Sequence, residues 1–570
     1  MRTSHFASRQ FLPEVIDLTD TAQLAPIFDL LDARLDKVAS VADLELWLKD
    51  QSEVFAALGE SSSLAYIAMT CQTDDEAKEK AYMHIVEVVD PWLKPRDFAL
   101  KQKLAQSRFF AQLPEFYAIF RRSIEAQVKI YREENIARET QVARLTQQYQ
   151  KISGSMTVEF DGKEQTLARM GRIQEEPDRP RREAAWKAVT ERRAQEIDKL
   201  EEIFDQLLVL RHEIALAADF TDFRAYTFAN YERFDYTPED CLQFHAAIEH
   251  HIVPLVRQMQ VERKAKLGVE PLRPWDIAVD PDHNPPLRPF EDSAELVQKS
   301  HHIFAQLDPR LGEYYGVLVQ QELVDLDNRK GKAPGGYQST LAESRVPFIF
   351  MNSVGAHRDV ETMLHEAGHA FHALAARELP LHSYRSAPIE FCEVASMGME
   401  LLAAPHLELF YSPENARRAR RDHLEGIIKF FPWMATVDAF QHWLYAHPGH
   451  TRSDRAAYWL SLMDRFGGTE DWSGFEQARA HVWHRQLHIF EIPFYYVEYG
   501  IAQLGALQLW QASRRDLPAT LDNYLAGLSL GGSRPLPELF TASGLAFDFT
   551  DRTIAPLMGN VREALVELAE

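Results

Sequence analysis

Apolar positions recur along most of the chain at three- and four-residue spacing, which predicts a largely helical protein. In the first 150 residues the clearest such stretches are Asp74 to Val89 and Leu113 to Gln148. The second is long and heavily charged, which predicts a helix exposed on one face. The pattern then changes. Ser155 to Phe160 and Lys163 to Leu167 alternate around Asp161-Gly162, the signature of a β-hairpin with a D-G turn. Pro180 to Ala217 returns to helix, with Trp186, Val189, Ile197, Leu200, Ile203, Phe204 and Leu207 on one stripe. Thr237-Pro238-Glu239-Asp240 reads as a helix start: a cap, proline in the first position and acids in the first turn. Several prolines make residues 268–291 an irregular crossing, and another helix follows Asp292-Ser293. Gly331 to Gly336 reads as a flexible loop. Val346 to Asn352 reads as a short strand, placed at a sheet edge because it contains Pro347. From there on the pattern is again mostly helical, with no repeat, coiled coil or low-complexity linker.

Composition narrows the possible partners. At 570 residues with 46% apolar content, the chain is long enough for a substantial core in two to four domains or one large helical body. A net charge of −23 argues against nucleic acid and anionic membranes as partners. Cys71, Cys241 and Cys392 are widely spaced and odd in number, so no disulfide framework is expected. The first twenty residues lack the apolar core of a secretory signal. No run of about 18 apolar residues is present, so no transmembrane helix is expected. A soluble cytoplasmic protein is the default expectation.

The stretch that specifies chemistry is His365-Glu366-Ala367-Gly368-His369, an H-E-x-x-H pattern inside the apolar helical run from Asp359 to Arg377. A motif this short arises by chance, so its context matters. Val360, Met363, Leu364, Ala367, Ala370, Phe371 and Leu374 keep helical spacing, and Asp359 is a plausible N-cap. Four residues of helix turn the chain about once and advance it by about 6 Å, so both imidazoles project from one face. That spacing suits one Zn²⁺ per chain, and Glu366, one position round, suits a general base acting on zinc-bound water. The reaction class is metal-assisted hydrolysis, usually of a peptide bond.

A catalytic zinc needs a third ligand. His372 lies on the same helix but is turned roughly 60° from His369, and His382 fits a loop ligand only loosely. Glu393, in the apolar segment Pro388 to Glu400, is the better candidate. Glu390, Glu393 and Glu400 share a face among Phe391, Val394, Met397 and Leu401, and a carboxylate in such surroundings needs a partner. With Glu393 as ligand, Glu400 or Glu390 would steady a ligating histidine.

The stretch GKAPGGYQSTLAESRVPFIFMNSVGAHRDVETMLHEAGHAFHA, followed by EFCEVASMGMELL, resembles the M3 family of zinc metallopeptidases, in its oligoendopeptidase F and Pz-peptidase branch. Leu272 to Asp276, Pro177 to Val189 and the hairpin at 155–167 resemble that branch too, so the likeness spans about residues 150–510. It implies a mainly α, two-lobed helical body enclosing a deep substrate channel, with a small β-sheet beside the HExxH helix. Residues 1–150 would form an N-terminal helical region and residues 151–570 the catalytic domain. The family's glutamate ligand falls on Glu393, with Ser396 completing its context. The family also carries a histidine and two tyrosines that stabilise the oxyanion. In the segment His488 to Ala502 these fall on His488, Tyr496 and Tyr499, with Tyr495 an alternative to Tyr496. Aromatic clusters also serve simply as core.

Two further elements are candidates for positioning substrate: the edge expected at Val346 to Asn352, by strand addition, and the loop Gly335-Gly336-Tyr337. Gly331-Lys332 lacks the context of a phosphate loop, and the His pairs at 250–251 and 301–302 have no ligand spacing. The sequence therefore predicts a zinc oligoendopeptidase acting on short unstructured peptides. Two alternatives stay open: a carboxypeptidase or peptidyl-dipeptidase, which needs a cation for the terminal carboxylate, and a non-catalytic peptide-binding protein.

Overall fold

The computed structural model describes residues 6–569; residues 1–5 and 570, at the outer ends of the two expected regions, lie outside the described residues. Helices dominate, with one two-stranded and one three-stranded sheet among the described residues. The chain divides into two compact units, each assembled from separate stretches.

The first unit comprises Met1–Val128, Pro286–Arg421 and Ile501–Phe547. One of its cores gathers Leu24, Phe28 and Leu31 with Leu44, Trp47 and Leu48, and Trp47 Nε1 donates to the Leu31 carbonyl at 2.8 Å. The helix that supplies Trp47, Val41–Cys71, is long and apolar enough by length and composition to cross a membrane, which the sequence reading did not expect. Serines, threonine and glutamine interrupt its apolar run without removing its hydropathy. Its apolar face packs in this core, and its buried Glu60 accepts hydrogen bonds from Glu343 N and Ser344 N at 2.8 and 2.6 Å.

The two-stranded sheet belongs to the second unit. It is the expected hairpin, β1 (Thr157–Phe160) and β2 (Lys163–Thr166), and both turn residues, Asp161 and Gly162, have positive φ. The first unit's sheet has the order β3 (Val324–Asp327), β5 (Val346–Ser353), β4 (Tyr337–Leu341). The expected edge strand is therefore central. β5 is buried on both faces, which explains its unbroken apolar run. Pro347 is tolerated because it lies opposite Thr340 of β4, before pairing with β3 begins at Ile349. The edge nearest the predicted loop is β4, whose polar Gln338, Ser339 and Thr340 do not read as a strand.

The second unit comprises Lys129–Pro285, Asp422–Gly500 and Asp548–Glu570. The expected single helix from Leu113 to Gln148 is broken: helices run over Ala118–Ile130 and Asn135–Gly154. Arg132 bonds the carbonyls of Lys129 and Tyr131 at the break, groups that a continuous helix would have paired itself, and that of Ala217 at the end of another helix. Two motifs separated by about ninety residues meet in a buried ion pair. Arg179 grips both oxygens of Asp276 at 3.0 and 2.8 Å, Arg182 adds a third bond at 3.1 Å, and Trp186 packs on Trp275. The predicted start at Thr237 is a capping box with Asp240.

Candidate active site

The helix carrying HExxH spans His357–Ala376, beginning two residues earlier than the sequence suggested. Asp359 is not the N-cap. It sits inside the first turn, and its carboxylate reaches back to the amides of Val354 and Ala356 at 2.7 and 2.9 Å. Ala356 holds the cap position with extended backbone, so those amides need an outside acceptor. A second helix, Ile389–Ala403, packs against the first, starting after Pro388 as expected. Gly368 permits the approach: a Cβ there would lie 2.5 Å from the Ala395 carbonyl oxygen and 2.6 Å from Ser396 Cα.

This packing gathers His365, His369 and Glu393, whose donor atoms lie within 4.8 Å of one another. Glu393 Oε2 is 3.4 Å from His365 Nε2 and 3.7 Å from His369 Nε2. The far nitrogen of His365, Nδ1, is 2.6 Å from Glu400 Oε1, which leaves Nε2 aimed at the shared centre. Ser396 Oγ donates to Glu393 Oε2 at 2.9 Å and fixes that carboxylate. Two imidazole nitrogens and a carboxylate oxygen, each oriented by a partner or by packing, fit one divalent cation of the zinc class.

The electrostatics agree with that fit. Burial drives the His369 imidazole well below its usual range, so it is neutral with a lone pair to offer; the charge of His365 adds to the effect. Burial also lowers His365, but the Glu400 hydrogen bond and the carboxylates of Glu400, Glu393 and Glu366 outweigh it and raise the group to about 9. A metal ion on Nε2 would displace that proton, and the same carboxylates would attract the cation. Burial pushes the Glu366 carboxyl up to about 7, against a lowering by His365. The backbone of Gln338 on β4 counters part of that rise. His372 is buried against Phe391 and stays outside the set, as does His382, which lies on a short 3₁₀ turn.

The second unit brings together His488, Tyr495, Tyr496 and Tyr499. Ring centroids lie 4.7 Å (His488–Tyr496), 6.1 Å (His488–Tyr499) and 6.2 Å (His488–Tyr495) apart. Tyr496 opens the helix Tyr496–Ser513. Just before it, buried Phe494 adopts φ 67°, an unusual backbone for a bulky residue, and its amide donates to Gln441 Oε1 at 3.1 Å. Arg233 bonds both the Phe494 carbonyl and Glu498. Burial lowers His488 to about 4, so it is neutral at pH 7, and Gln486 hydrogen-bonds its Nδ1 at 2.7 Å.

Another grouping of metal-type donors, Cys241, Asp438 and His442, also lies in this unit. All three are buried, and Asp438 Oδ2 already takes a bond from His245 at 2.8 Å. This grouping links the helices Pro238–His251 and Pro413–Ala446.

Comparison with known proteins gives the same direction. The profile of "Peptidase family M3" matches residues 172–558, and that of "Peptidase M3 N-terminal domain" matches residues 13–131. The chain belongs to peptidase family M3. Within the family it falls with the oligoendopeptidase F and Pz-peptidase branch. A solved structure of Pz peptidase A with an inhibitor has a TM-score of 0.87 and 29% identity, covering 98% of this chain and 99% of that one. A putative oligoendopeptidase F has a TM-score of 0.87 and 30% identity, covering 99% and 100%. The oligoendopeptidase F homolog of Borreliella burgdorferi is 22% identical over 300 residues, 50% of this chain and 49% of its own length. Oligopeptidase PepF of Bacillus subtilis is 24% identical over 307 residues, 52% and 44% respectively. These matches span about half the length of the curated relatives. The M3 fold seen in the solved structures is mainly α, as in this chain.

Sequence reasoning assigned no element to Gln338–Leu341, whose polar residues give no strand signal, and so missed the Gln338 backbone beside Glu366. It also left Glu390 and Glu400 open as the partner of a ligating histidine; Glu400 holds that place on His365.

Proposed function

We propose that this M3 family member is a zinc-dependent oligoendopeptidase that hydrolyses internal bonds of short unstructured peptides. The observation that carries the reading is the convergence of His365, His369 and Glu393 on one centre, with Glu366 on the adjoining helix position. The expected division, an N-terminal helical region at 1–150 and a catalytic region at 151–570, goes with it. So does a cytoplasmic setting.

His365, His369 and Glu393 would hold one Zn²⁺, and the ion, when bound, polarises a water and the scissile carbonyl. Glu366 takes a proton from the attacking water, which forms the new C–O bond, and passes it to the amide nitrogen as the C–N bond breaks. The Gln338 backbone would favour the charged form of Glu366 that accepts the proton. Glu400 fixes the His365 ring and Ser396 the Glu393 carboxylate. His488, Tyr496 and Tyr499 would donate to the oxyanion, neutral groups able to stabilise developing charge without pairing with the substrate beforehand.

The test uses a quenched peptide of about ten residues blocked at both ends, with and without chelator. Internal cuts that chelator abolishes and Zn²⁺ restores are expected. Glu366→Gln should keep its metal and lose at least about 10³-fold in turnover. Unchanged turnover in that variant would sink the mechanism. Cleavage only of peptides with a free terminus would favour the exopeptidase alternative.

A further inference from the structure

A cavity of about 250 Å³ adjoins the metal-type cluster, with His369 as one wall. Thr340 of β4 and Arg377 of the HExxH helix also line it, together with Arg345 and Arg385. No carboxylate lines it among the described residues. Its remaining titratable neighbours carry no charge at pH 7: burial holds His372 and His382 near 4 and keeps the Cys392 thiol protonated. The wall is therefore cationic within a chain of net charge −23.

Arg377 pairs with Glu378 at 3.6 Å, but Arg345 and Arg385 are oriented by carbonyls alone. Arg345 Nη1 donates to the Arg377 carbonyl at 2.7 Å. Arg385 donates to the carbonyls of Leu379 and Ala342 at 3.0 and 3.1 Å. Neither makes an ion pair among the described residues. The Phe6 ring lies over Arg345, at 4.3 Å, and supplies no counter-charge. Burial and the like charge of Arg345 push Arg385 down to about 10. Buried Arg182, by contrast, meets the carboxylate of Asp276. Cations brought together without an anion are unfavourable unless a ligand completes them.

The backbone gives a second, independent indication. Arg345 occupies the turn between β4 and β5 with φ 53°, a conformation that glycine or asparagine adopts at less cost. The turn is held in place from outside. Glu60 bonds the amides of Glu343 and Ser344 and the Ser344 hydroxyl, while Glu343 pairs with Arg9. The carboxylates nearest in sequence are thus committed away from Arg345, and a long cation is kept where a small residue would be easier.

We propose that this cavity is a subsite for a carboxylate of the peptide substrate. The guanidinium fork matches a carboxylate. The volume is below the about 300–1,000 Å³ of pockets that enclose a whole small molecule, so it suits one residue of a longer chain. With His369 in its wall, the bound residue lies beside the scissile bond. The carboxylate is either an acidic side chain near the cut or the C-terminus of the peptide. The inference rests on the peptidase reading.

The test is a set of quenched peptides of one sequence, with Glu or Gln at each position near the cut and with the C-terminus as free acid or amide. One member of the acidic set should exceed its neutral partner by about tenfold in kcat/KM, mainly through KM. The Glu/Gln arm and the acid/amide arm show which carboxylate is bound. Arg345→Gly, whose new residue accepts φ 53°, should bring the ratio to within about twofold of one, and Arg345→Lys should keep part of it. Thermal melting checks that both variants fold. The same ratio is read without turnover from fluorescence anisotropy of the peptides on the Glu366→Gln chain. Tighter binding of the acidic peptide without cleavage by the wild type would keep the subsite and reject the peptidase reading. Cleavage with every wild-type pair alike, or a preference that survives in Arg345→Gly, would overturn the subsite.

Discussion

Replacing Gly368 by alanine tests how the metal-type cluster is built. Helix propensity alone favours the change by about 1 kcal/mol. Packing opposes it. The new methyl would stand 2.5 Å from the Ala395 carbonyl oxygen and 2.6 Å from Ser396 Cα, both backbone atoms. Ordinary contact is about 3.5–4.0 Å, so the two helices must part by roughly 1 Å. Overpacking of this kind costs about 1–3 kcal/mol, and backbone neighbours cannot swing aside, so the upper part of that range applies and the net effect is destabilising. The displacement passes directly to Glu393, three residues before Ser396 on the same helix. A metal site tolerates about 0.2 Å in its ligand distances, so affinity should fall by at least about 10–100-fold.

Gly426→Ala supplies the control, because no atom lies within 4 Å of the Cβ that it adds to an exposed helical position. That variant should be neutral or stabilised by up to about 1 kcal/mol. Thermal melting and competition with a chelator of known affinity read both effects. A Gly368→Ala chain that melts with the wild type and holds metal as tightly would refute the packing argument.

Three further outcomes are expected. Glu400→Ala removes the partner of His365 Nδ1, and metal affinity by chelator competition should fall about 10–100-fold with the fold intact; an unchanged value would show that His365 needs no such support. Tyr499→Phe should lower kcat by about 10²–10³-fold with KM nearly unchanged in steady-state assays of a blocked peptide, whereas unchanged kcat would return Tyr499 to a packing role. Asp276→Asn strands the buried Arg182 and should cost about 3–5 kcal/mol by denaturant unfolding. Burial raises the Asp276 carboxyl, but bonds from Arg179, Arg273 and Arg182 outweigh it and hold it below the usual range. The folded-state value is thus the lower one. The stabilisation is present above the unfolded value of about 3.9 and is lost as pH falls through the folded value, so wild type and variant should converge in melting temperature only in strong acid.

What the sequence made legible was local. His365 and His369 share a face because four residues make about one helical turn, a relation that needs no knowledge of the rest of the chain. The D-G turn at 161–162 and the Thr237–Asp240 cap are local in the same sense. Glu393 stood out because a carboxylate among apolar helix positions demands a partner, although the partner lies on another helix. The errors arose where distant contacts decide. Pro347 points Val346 to Asn352 to an edge, but the strand order depends on which segments flank it, and its partner β4 carries a polar sequence. The run from Leu113 to Gln148 keeps helical periodicity, yet Arg132 and Asn135 bond carbonyls near residue 214–217 and stabilise a break there. Arg345 shows the limit most clearly. Ser-Arg-Val-Pro contains no glycine or asparagine to announce a left-handed residue, and its uncompensated charge becomes visible only when Arg385, forty residues on, shares the same cavity. Local rules thus disclosed the residues proposed to bind metal and move a proton, whereas the residues proposed to choose a substrate emerged only from the fold.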